Sequence, residues 1–201
     1  GLTGLAAIHD AVNERDRPAL AAERIATFVA REVDGELRDF RPAEAPTRLD
    51  ENERVVQFVP YRMPVSLPWC HGYSYLDLLN PNAVRAFLES THEVYHNAVG
   101  SEFGQTIPGI FTDEPGLSHH LHEGGVRMLT VPWTDGFAAY FSEHTGYDLL
   151  PVLPSLFFDT GDYRAVRFDF WRAVTERFVT SYTRQVYEWC ETHHLASTGH
   201  F

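Results

Sequence analysis

Two adjacent carboxylic acids near the end of a short apolar run are the strongest candidates for chemistry in this chain. Residues 107–115 are predicted to form a buried strand that contains Asp113 and Glu114. Because side chains alternate along a strand, Glu114 is expected to share one face with Ile110 and Thr112. A carboxyl group held among apolar side chains can keep its proton and donate it to a leaving oxygen. We therefore predict that Glu114 is a general acid, and that Asp113 orients it or contacts a substrate hydroxyl.

Five further residues are candidates for contacting a substrate. Tyr75 and Asp77 precede a predicted helix and could line the same opening as Glu114, although Asp77 is as well suited to capping. His200 closes the last predicted strand, where a histidine can bond substrate or a carboxylate, or serve structure alone. Trp69 and Trp133 lie in predicted loops, and their ring faces could stack on a sugar.

A dense histidine cluster raises the question of a metal site. His119, His120 and His122 lie in a glycine-rich loop that follows the two acids. Their spacing matches no helical motif such as His-Glu-x-x-His, so we predict no metal ligands and no cofactor, while a structural divalent cation stays open. A nucleophilic mechanism is unsupported, since no serine lies in a Gly-x-Ser-x-Gly elbow and neither Cys70 nor Cys190 has a histidine at motif spacing.

Charge and composition limit the classes of partner. The 201 residues include 28 acids and 16 arginines but no lysine, which gives a net charge of -12 and argues against a nucleic-acid partner. Residues 55–163 carry 12 acids, 3 arginines and 17 of the 27 aromatic residues. Acids mixed with aromatic rings are typical of a sugar-binding cleft, and the alternative is an acidic surface over an aromatic core.

Location and membrane association follow from the same inspection. No apolar run reaches about 18 residues, so we predict no membrane span. The first residues lack the charged and apolar regions of a secretory signal, which favours a cytoplasmic over a secreted location without fixing the compartment. Two cysteines are too few for a disulfide scaffold.

The periodicity of the chain predicts alternating helices and strands. Residues 5–31 are predicted to be helical in two pieces, and Asp34-Gly35 predicts a hairpin turn. Asn80-Pro81 predicts a helix start, with asparagine as the cap. Further elements are predicted as a loop over residues 41–54, strands over 55–59 and 195–200, and helices over 135–145 and 164–194.

This order of elements predicts an α/β fold with a parallel sheet. A doubly wound sheet and a (β/α)8 barrel both fit, but no glycine-rich phosphate loop follows a strand, which disfavours a nucleotide-binding doubly wound fold. We predict two regions. Residues 1–54 are an N-terminal helical segment with a β-hairpin and loop insertion, and residues 55–201 are a partial (β/α) barrel that carries the catalytic site.

Five short stretches, in their order along the chain, resemble the catalytic barrel of α-L-rhamnosidase-like bacterial glycoside hydrolases, proteins that often also carry a family 2-type sugar-binding domain. The stretches read Tyr-Leu-Asp-Leu-Leu-Asn-Pro at 75–81, Ile-Phe-Thr-Asp-Glu-Pro at 110–115, Val-Pro-Trp-Thr at 131–134, Gly-Tyr-Asp-Leu at 146–149 and Thr-Gly-His at 198–200. The resemblance implies a (β/α)8 barrel with two catalytic carboxylates, of which Glu114 is the acid/base. Asp113 stands where many retaining barrel glycosidases have asparagine.

The resemblance predicts a glycosidase that hydrolyses O-glycosyl bonds of a carbohydrate substrate. A barrel needs about 250 residues, so we expect this chain to be a fragment. The rest of the barrel and the second carboxylate would come from a downstream chain, and the fragment alone would show little hydrolysis. Two alternatives stay open. One is a non-catalytic carbohydrate-binding α/β domain, and the other is a metal-dependent hydrolase that uses His119, His120 and His122.

Overall fold

The computed structural model describes residues 2–8, 24–43, 48–62, 72–117 and 130–200. The predictions for Trp69 and for the histidine loop at positions 119, 120 and 122 lie outside these residues. The chain divides into two compact units. We call Leu2–Ser74 with Ser118–Ala173 the sheet unit, and Tyr75–Leu117 with Val174–Phe201 the strand-pair unit.

The described residues form seven strands and six α-helices. The strands are β1 (Leu2–Ile8), β2 (Ala26–Val33), β3 (Glu36–Pro42), β4 (Glu53–Arg62), β5 (Gly109–Thr112), β6 (Thr130–Val131) and β7 (Ala196–Gly199). The helices are α1 (Pro81–Ser90), α2 (His92–Val99), α3 (Phe137–Thr145), α4 (Pro154–Phe157), α5 (Tyr163–Phe178) and α6 (Arg184–Thr192). A π-helical turn, Val179–Thr183, joins α5 to α6. No helix in the described ranges is long and apolar enough to cross a membrane.

The sheet unit is built on a five-stranded sheet with the strand order β3-β2-β4-β1-β6. All of its strand pairings are antiparallel, with Ala6 opposite Val59 and Val29 opposite Val55. Antiparallel neighbours are not the pattern of a (β/α)8 barrel, in which every strand runs parallel to the next. The predicted α/β fold with a partial barrel is therefore wrong.

The first error lies at residues 5–31, where a helix was predicted. The structure has β1 and β2 at the two ends of this stretch. Alanine favours helices in isolation, but the completely buried Leu5 and Ala6 gain more from pairing with β4. The rings of Phe28 on β2 and Phe58 on β4 pack edge to face with a centroid distance of 5.6 Å. Tertiary pairing thus overrides the local helix preference.

The hairpin predicted at Asp34-Gly35 is present between β2 and β3. Both turn residues have positive φ, 54° at Asp34 and 79° at Gly35. Two successive residues in this region form the tight turn that matches the twist of antiparallel strands. Val33 and Glu36 face each other across it. The hairpin contributes two neighbouring strands of the five-stranded sheet.

The strand-pair unit is named for β5 and β7, which run parallel from Gly109 opposite Ala196 to Thr112 opposite Gly199. The helix start predicted at Asn80-Pro81 is confirmed, because the Asn80 side-chain oxygen accepts bonds from the backbone N–H groups of residues 82 and 83. The core of this unit consists of Leu78, Val84, Leu88, Tyr182, Val186, Cys190 and Leu195. Arg177 and Ser181 both donate to the Leu79 carbonyl, which fixes the chain just before α1.

Candidate active site

The ends of β5 and β7 bring an acid and a histidine together. The two strands are parallel and in register at Thr112 and Gly199, so the residues that follow them emerge side by side. The backbone N–H of His200 donates to the Thr112 carbonyl at 3.0 Å. The His200 Nδ1 atom then lies 3.3 Å from Asp113 Oδ1. Both side chains are exposed, so the pair is accessible to a ligand from solvent.

Glu114 joins this pair through an unusual backbone conformation. Its φ is 42°, in the left-handed region that residues other than glycine seldom occupy. The strand ends at Thr112, so the alternation expected for Glu114 stops before reaching it, and its side chain is exposed instead of lying among apolar strand residues. One donor atom from each of Asp113, Glu114 and His200 lies within 4.8 Å of the others.

A pocket of about 570 Å³ opens beside these residues, and the described residues that line it all belong to the strand-pair unit. Its lining is mainly aromatic and aliphatic, and Asp113 is the one acidic residue among the described residues that line it. Because Asp113 is exposed, it marks the mouth of the pocket. The lining residues are Tyr75, Leu76, Leu78, Phe87, Thr91, His92, Tyr95, Val99, Phe103, Ile107, Ile110, Phe111, Thr112, Asp113, Pro115 and Tyr182.

Tyr75 and Asp77 have different places in this unit. Tyr75 lines the pocket, and its hydroxyl oxygen accepts a bond from the Gly116 N–H at 2.9 Å. That bond ties down the loop that follows the two acids. Asp77 is buried and absent from the lining, and its Oδ1 accepts a bond from the Leu79 N–H at 3.2 Å. Asp77 therefore fixes the turn before α1, whereas the cap of the helix itself is Asn80.

Trp133 does not have the exposed ring that sugar stacking needs. It lies in the sheet unit with only 3% of its surface exposed. Its ring packs against Phe137 at a centroid distance of 5.5 Å. The loop-like sequence around Trp133 gave no sign of this, because burial of a loop aromatic depends on residues distant in the chain.

His92 is a pocket residue that the sequence reasoning missed. It is only 6% exposed, and neither ring nitrogen has a hydrogen-bond partner among the described residues. Burial lowers the pKa of His92 below its usual value near 6.5, so the ring is neutral at neutral pH. Its ring packs edge to face on Phe87 and Trp189. The spacing of four residues from Leu88 was the available sequence evidence for its burial.

Two groups of side chains in the described ranges have the composition of a metal site. One is the set already described, Asp113, Glu114 and His200, whose side chains are exposed. The other is Glu93, His96 and His193, which is half-buried and lies on α2 and at the end of α6. The two groups share no residue, so they are separate candidates.

Comparison with protein-family models, with curated proteins and with solved structures found no match to this chain. The resemblance to rhamnosidase-like hydrolases is therefore a proposal. The contacts inside the strand-pair unit are the basis on which a function can be assigned.

Proposed function

We propose that the strand-pair unit carries the substrate site of a glycoside hydrolase, with Glu114 as the proton donor. The observation that supports this most is the meeting of Asp113, Glu114 and His200 at the carboxyl ends of two parallel strands, beside a pocket of about 570 Å³. Ligand sites in α/β structures commonly form at this end of parallel strands. Neither the antiparallel sheet nor the overall fold enters this proposal.

The site has the groups that protonation of a glycosidic oxygen requires. Cleavage of the bond between a sugar and its leaving group needs a proton on the departing oxygen. The exposed Glu114 carboxyl can approach that oxygen from solvent. When His200 Nδ1–H donates to Asp113, the Nε2 atom of His200 is left to accept a bond from a sugar hydroxyl. Asp113 and His200 would then position the substrate that Glu114 protonates.

The pocket suits a ligand with an apolar face and a few hydroxyl groups. Its aromatic side chains can cover the apolar side of a pyranose or an aromatic leaving group. His92 is a polar residue within this mainly apolar lining. A buried polar group without a partner costs about 1–3 kcal/mol. A substrate hydroxyl would remove that cost if the side chains that cover the His92 nitrogens move aside on binding. We therefore expect His92 to contribute to binding, while Glu114 contributes to the reaction.

One observation favours the second candidate, a carbohydrate-binding domain without catalysis. Glu114 is exposed and is not among the residues that line the pocket. A site of this kind would hold a sugar through the aromatic pocket and use the carboxylates only as hydrogen-bond acceptors. The metal-dependent alternative through His119, His120 and His122 gains no support, because that loop lies outside the described residues.

The experiment is a screen of the purified protein, together with any sequence that follows residue 201, against disaccharides and alkyl glycosides in both anomeric forms. Their leaving oxygens, unlike that of a nitrophenyl glycoside, must be protonated to depart. For a substrate that is cleaved, Glu114→Gln should lower kcat/KM by about 100-fold or more, which is typical of losing a general acid. Glu89→Gln, at an exposed glutamate on α1, is the matched control and should leave the rate unchanged. His92→Phe should raise KM more than it lowers kcat.

Three results would overturn the proposal that this is a hydrolase with Glu114 as the proton donor. Cleavage that survives Glu114→Gln would show that another group donates the proton. Binding of a glycoside without cleavage, lost in His92→Phe, would establish the carbohydrate-binding alternative. Absence of both binding and cleavage across the panel would reject both candidates.

A further inference from the structure

The cluster of Glu93, His96 and His193 joins α2 to the end of α6. Glu93 and His96 lie three residues apart on α2, a spacing that places both side chains on one face of the helix. His193 follows α6 directly as its C-terminal cap residue. One donor atom from each of the three residues lies within 4.8 Å of the others, and all three residues are half-buried.

Trp189 on α6 orients two members of this cluster. Its indole N–H donates to Glu93 Oε1 at 2.6 Å. Its backbone carbonyl accepts a bond from His193 Nδ1 at 2.7 Å, and its ring stacks on the His193 ring at a centroid distance of 4.0 Å. A carboxylate and an imidazole that are each held by an outer hydrogen bond are typical of ligands prepared for a metal.

The hydrogen bonds determine which atoms remain available. A carbonyl oxygen can only accept, so the proton of neutral His193 lies on Nδ1 and its Nε2 atom has a free lone pair. On Glu93, the Oε2 atom lies 3.8 Å from His96 Nδ1. Three donor atoms from three different side chains therefore remain to face a common ligand.

Gly100 supports the position of His96. A Cβ atom at this glycine would lie 2.6 Å from Cδ2 and 3.0 Å from Nε2 of His96. The φ of Gly100 is -60°, a conformation open to every residue, so the glycine is needed here for space rather than for backbone freedom. The missing side chain lets the His96 ring lie with Nε2 toward Gly100 and Nδ1 toward Glu93.

We propose that Glu93, His96 and His193 form a site for a zinc-type divalent transition metal. Two imidazoles and one carboxylate suit Zn²⁺, whereas Mg²⁺ and Ca²⁺ require oxygen ligands. Tetrahedral Zn²⁺ ligands lie about 3.4 Å from one another, so binding requires the three side chains to close by about 1 Å around the ion. Water would take the fourth position. The ion would clamp α2 to the end of α6, and this inference is independent of the proposed hydrolase.

Cobalt is the probe for this site, because Co²⁺ replaces Zn²⁺ and absorbs visible light when bound to nitrogen ligands. The untagged chain should bind one Co²⁺ that Zn²⁺ displaces and that millimolar Mg²⁺ does not. His96→Ala and His193→Ala should each weaken Co²⁺ binding by more than about tenfold. The matched control is His194→Asn, at the neighbouring histidine outside the cluster, where asparagine tolerates the positive φ of 58°.

Two further variants weaken the site without removing a ligand. Trp189→Phe keeps a ring beside His193 but removes the donor to Glu93, and Gly100→Ala displaces the His96 ring. Each should lower Co²⁺ affinity by about tenfold, with circular dichroism confirming that the variants are folded. Replacing His119, His120 and His122 together by alanine should leave the affinity unchanged. The proposal is overturned if no Co²⁺ binds, or if binding survives the loss of both His96 and His193.

Discussion

The two units of this protein use polar groups in opposite ways. In the sheet unit, ion pairs such as Arg38 with Glu36 and Arg54 with Glu32 are exposed, and the core is formed by large apolar side chains. In the strand-pair unit, a buried histidine has no partner among the described residues. Each unit has its own apolar core, but under the proposed function the binding groups are concentrated in the strand-pair unit.

Both units contain non-glycine residues with positive φ, and in the strand-pair unit one of them lies next to a residue that lines the pocket. Glu114 occupies a left-handed φ beside the pocket, a feature that is typical of functional sites when the surrounding structure enforces it. The proposed hydrolase site and the proposed metal site both lie in this unit. Comparable substitutions in the two units therefore test whether the units differ in the way their side chains are used.

The largest expected effect is the loss of a core ring from the sheet unit. Phe58 is completely buried and contacts the rings of Phe28 and Phe157, so Phe58→Ala should lower the free energy of unfolding by about 4 kcal/mol. The matched variant in the other unit is Phe111→Ala, at a ring that is 56% exposed, which should cost about 0.5 kcal/mol or less. Urea unfolding measures both, and equal losses would contradict the assignment of burial.

A glycine substitution tests the pairing of β5 with β7. A Cβ atom at Gly199 would lie 2.0 Å from the Thr112 carbonyl oxygen, which is backbone and cannot move aside cheaply. Gly199→Ala should cost about 3 kcal/mol through this overpacking. The comparison is Gly35→Ala in the sheet unit, where a Cβ would meet nothing within 4 Å. The positive φ of Gly35 alone should cost about 1 kcal/mol of stability. If Gly199→Ala loses less stability than Gly35→Ala, the close approach of β7 to the Thr112 carbonyl is contradicted.

Removing His92 should stabilise the free protein. His92→Phe replaces a buried ring whose nitrogens have no partner among the described residues with an apolar ring, and should raise the free energy of unfolding by about 2 kcal/mol. Because burial lowers the pKa of His92, the unfolded chain binds more protons below pH 6.5, and stability falls as the pH decreases from that value through the folded pKa. Urea unfolding at neutral and mildly acidic pH should show a weaker acid dependence in His92→Phe. A destabilised variant would show that the histidine has a partner.

The smallest expected effect is a loss of stability in the sheet unit, opposite in sign to the gain expected from His92→Phe. The Tyr147 hydroxyl donates to Asp169 Oδ2 at 3.2 Å, and burial together with that carboxylate raises the pKa of Tyr147 to about 12. Tyr147→Phe should lower the free energy of unfolding by about 1 kcal/mol. Because the folded pKa lies above the usual value of 10, this contribution is present below pH 10 and is lost as the pH rises toward 12. The check is alkaline urea titration of both proteins, and a gain in stability would remove the contrast with His92.

Local patterns predicted the elements that local interactions stabilise. The cap at Asn80, the turn at Asp34-Gly35 and the presence of a strand within residues 107–115 follow from a few neighbouring residues, although the strand ends at Thr112 and not at Glu114 as predicted. The position of His200 at a predicted strand end suggested a contact with a carboxylate. The parallel register of β5 and β7 brings His200 next to Asp113. In these cases, sequence neighbours supply most of the relevant contacts.

The failures share a dependence on distant residues. β1 was mistaken for helix because its pairing with β4 joins segments about fifty residues apart, and no periodicity within residues 5–31 reports that partner. The burial of Trp133 and the environment of His92 also depend on contacts across the chain. Glu114 departed from strand alternation because its φ is positive, which the sequence context did not predict.

Hydrogen exchange of the Glu114→Gln variant in the presence of a glycoside tests the central claim most directly, because under the proposal this variant should bind the glycoside with little turnover. The account predicts slower exchange in peptides covering β5, β7 and residues 91–99, and no change in peptides covering β2 and β4. Protection in the β2 and β4 peptides, with none around the pocket, would contradict the assignment of the ligand site to the strand-pair unit.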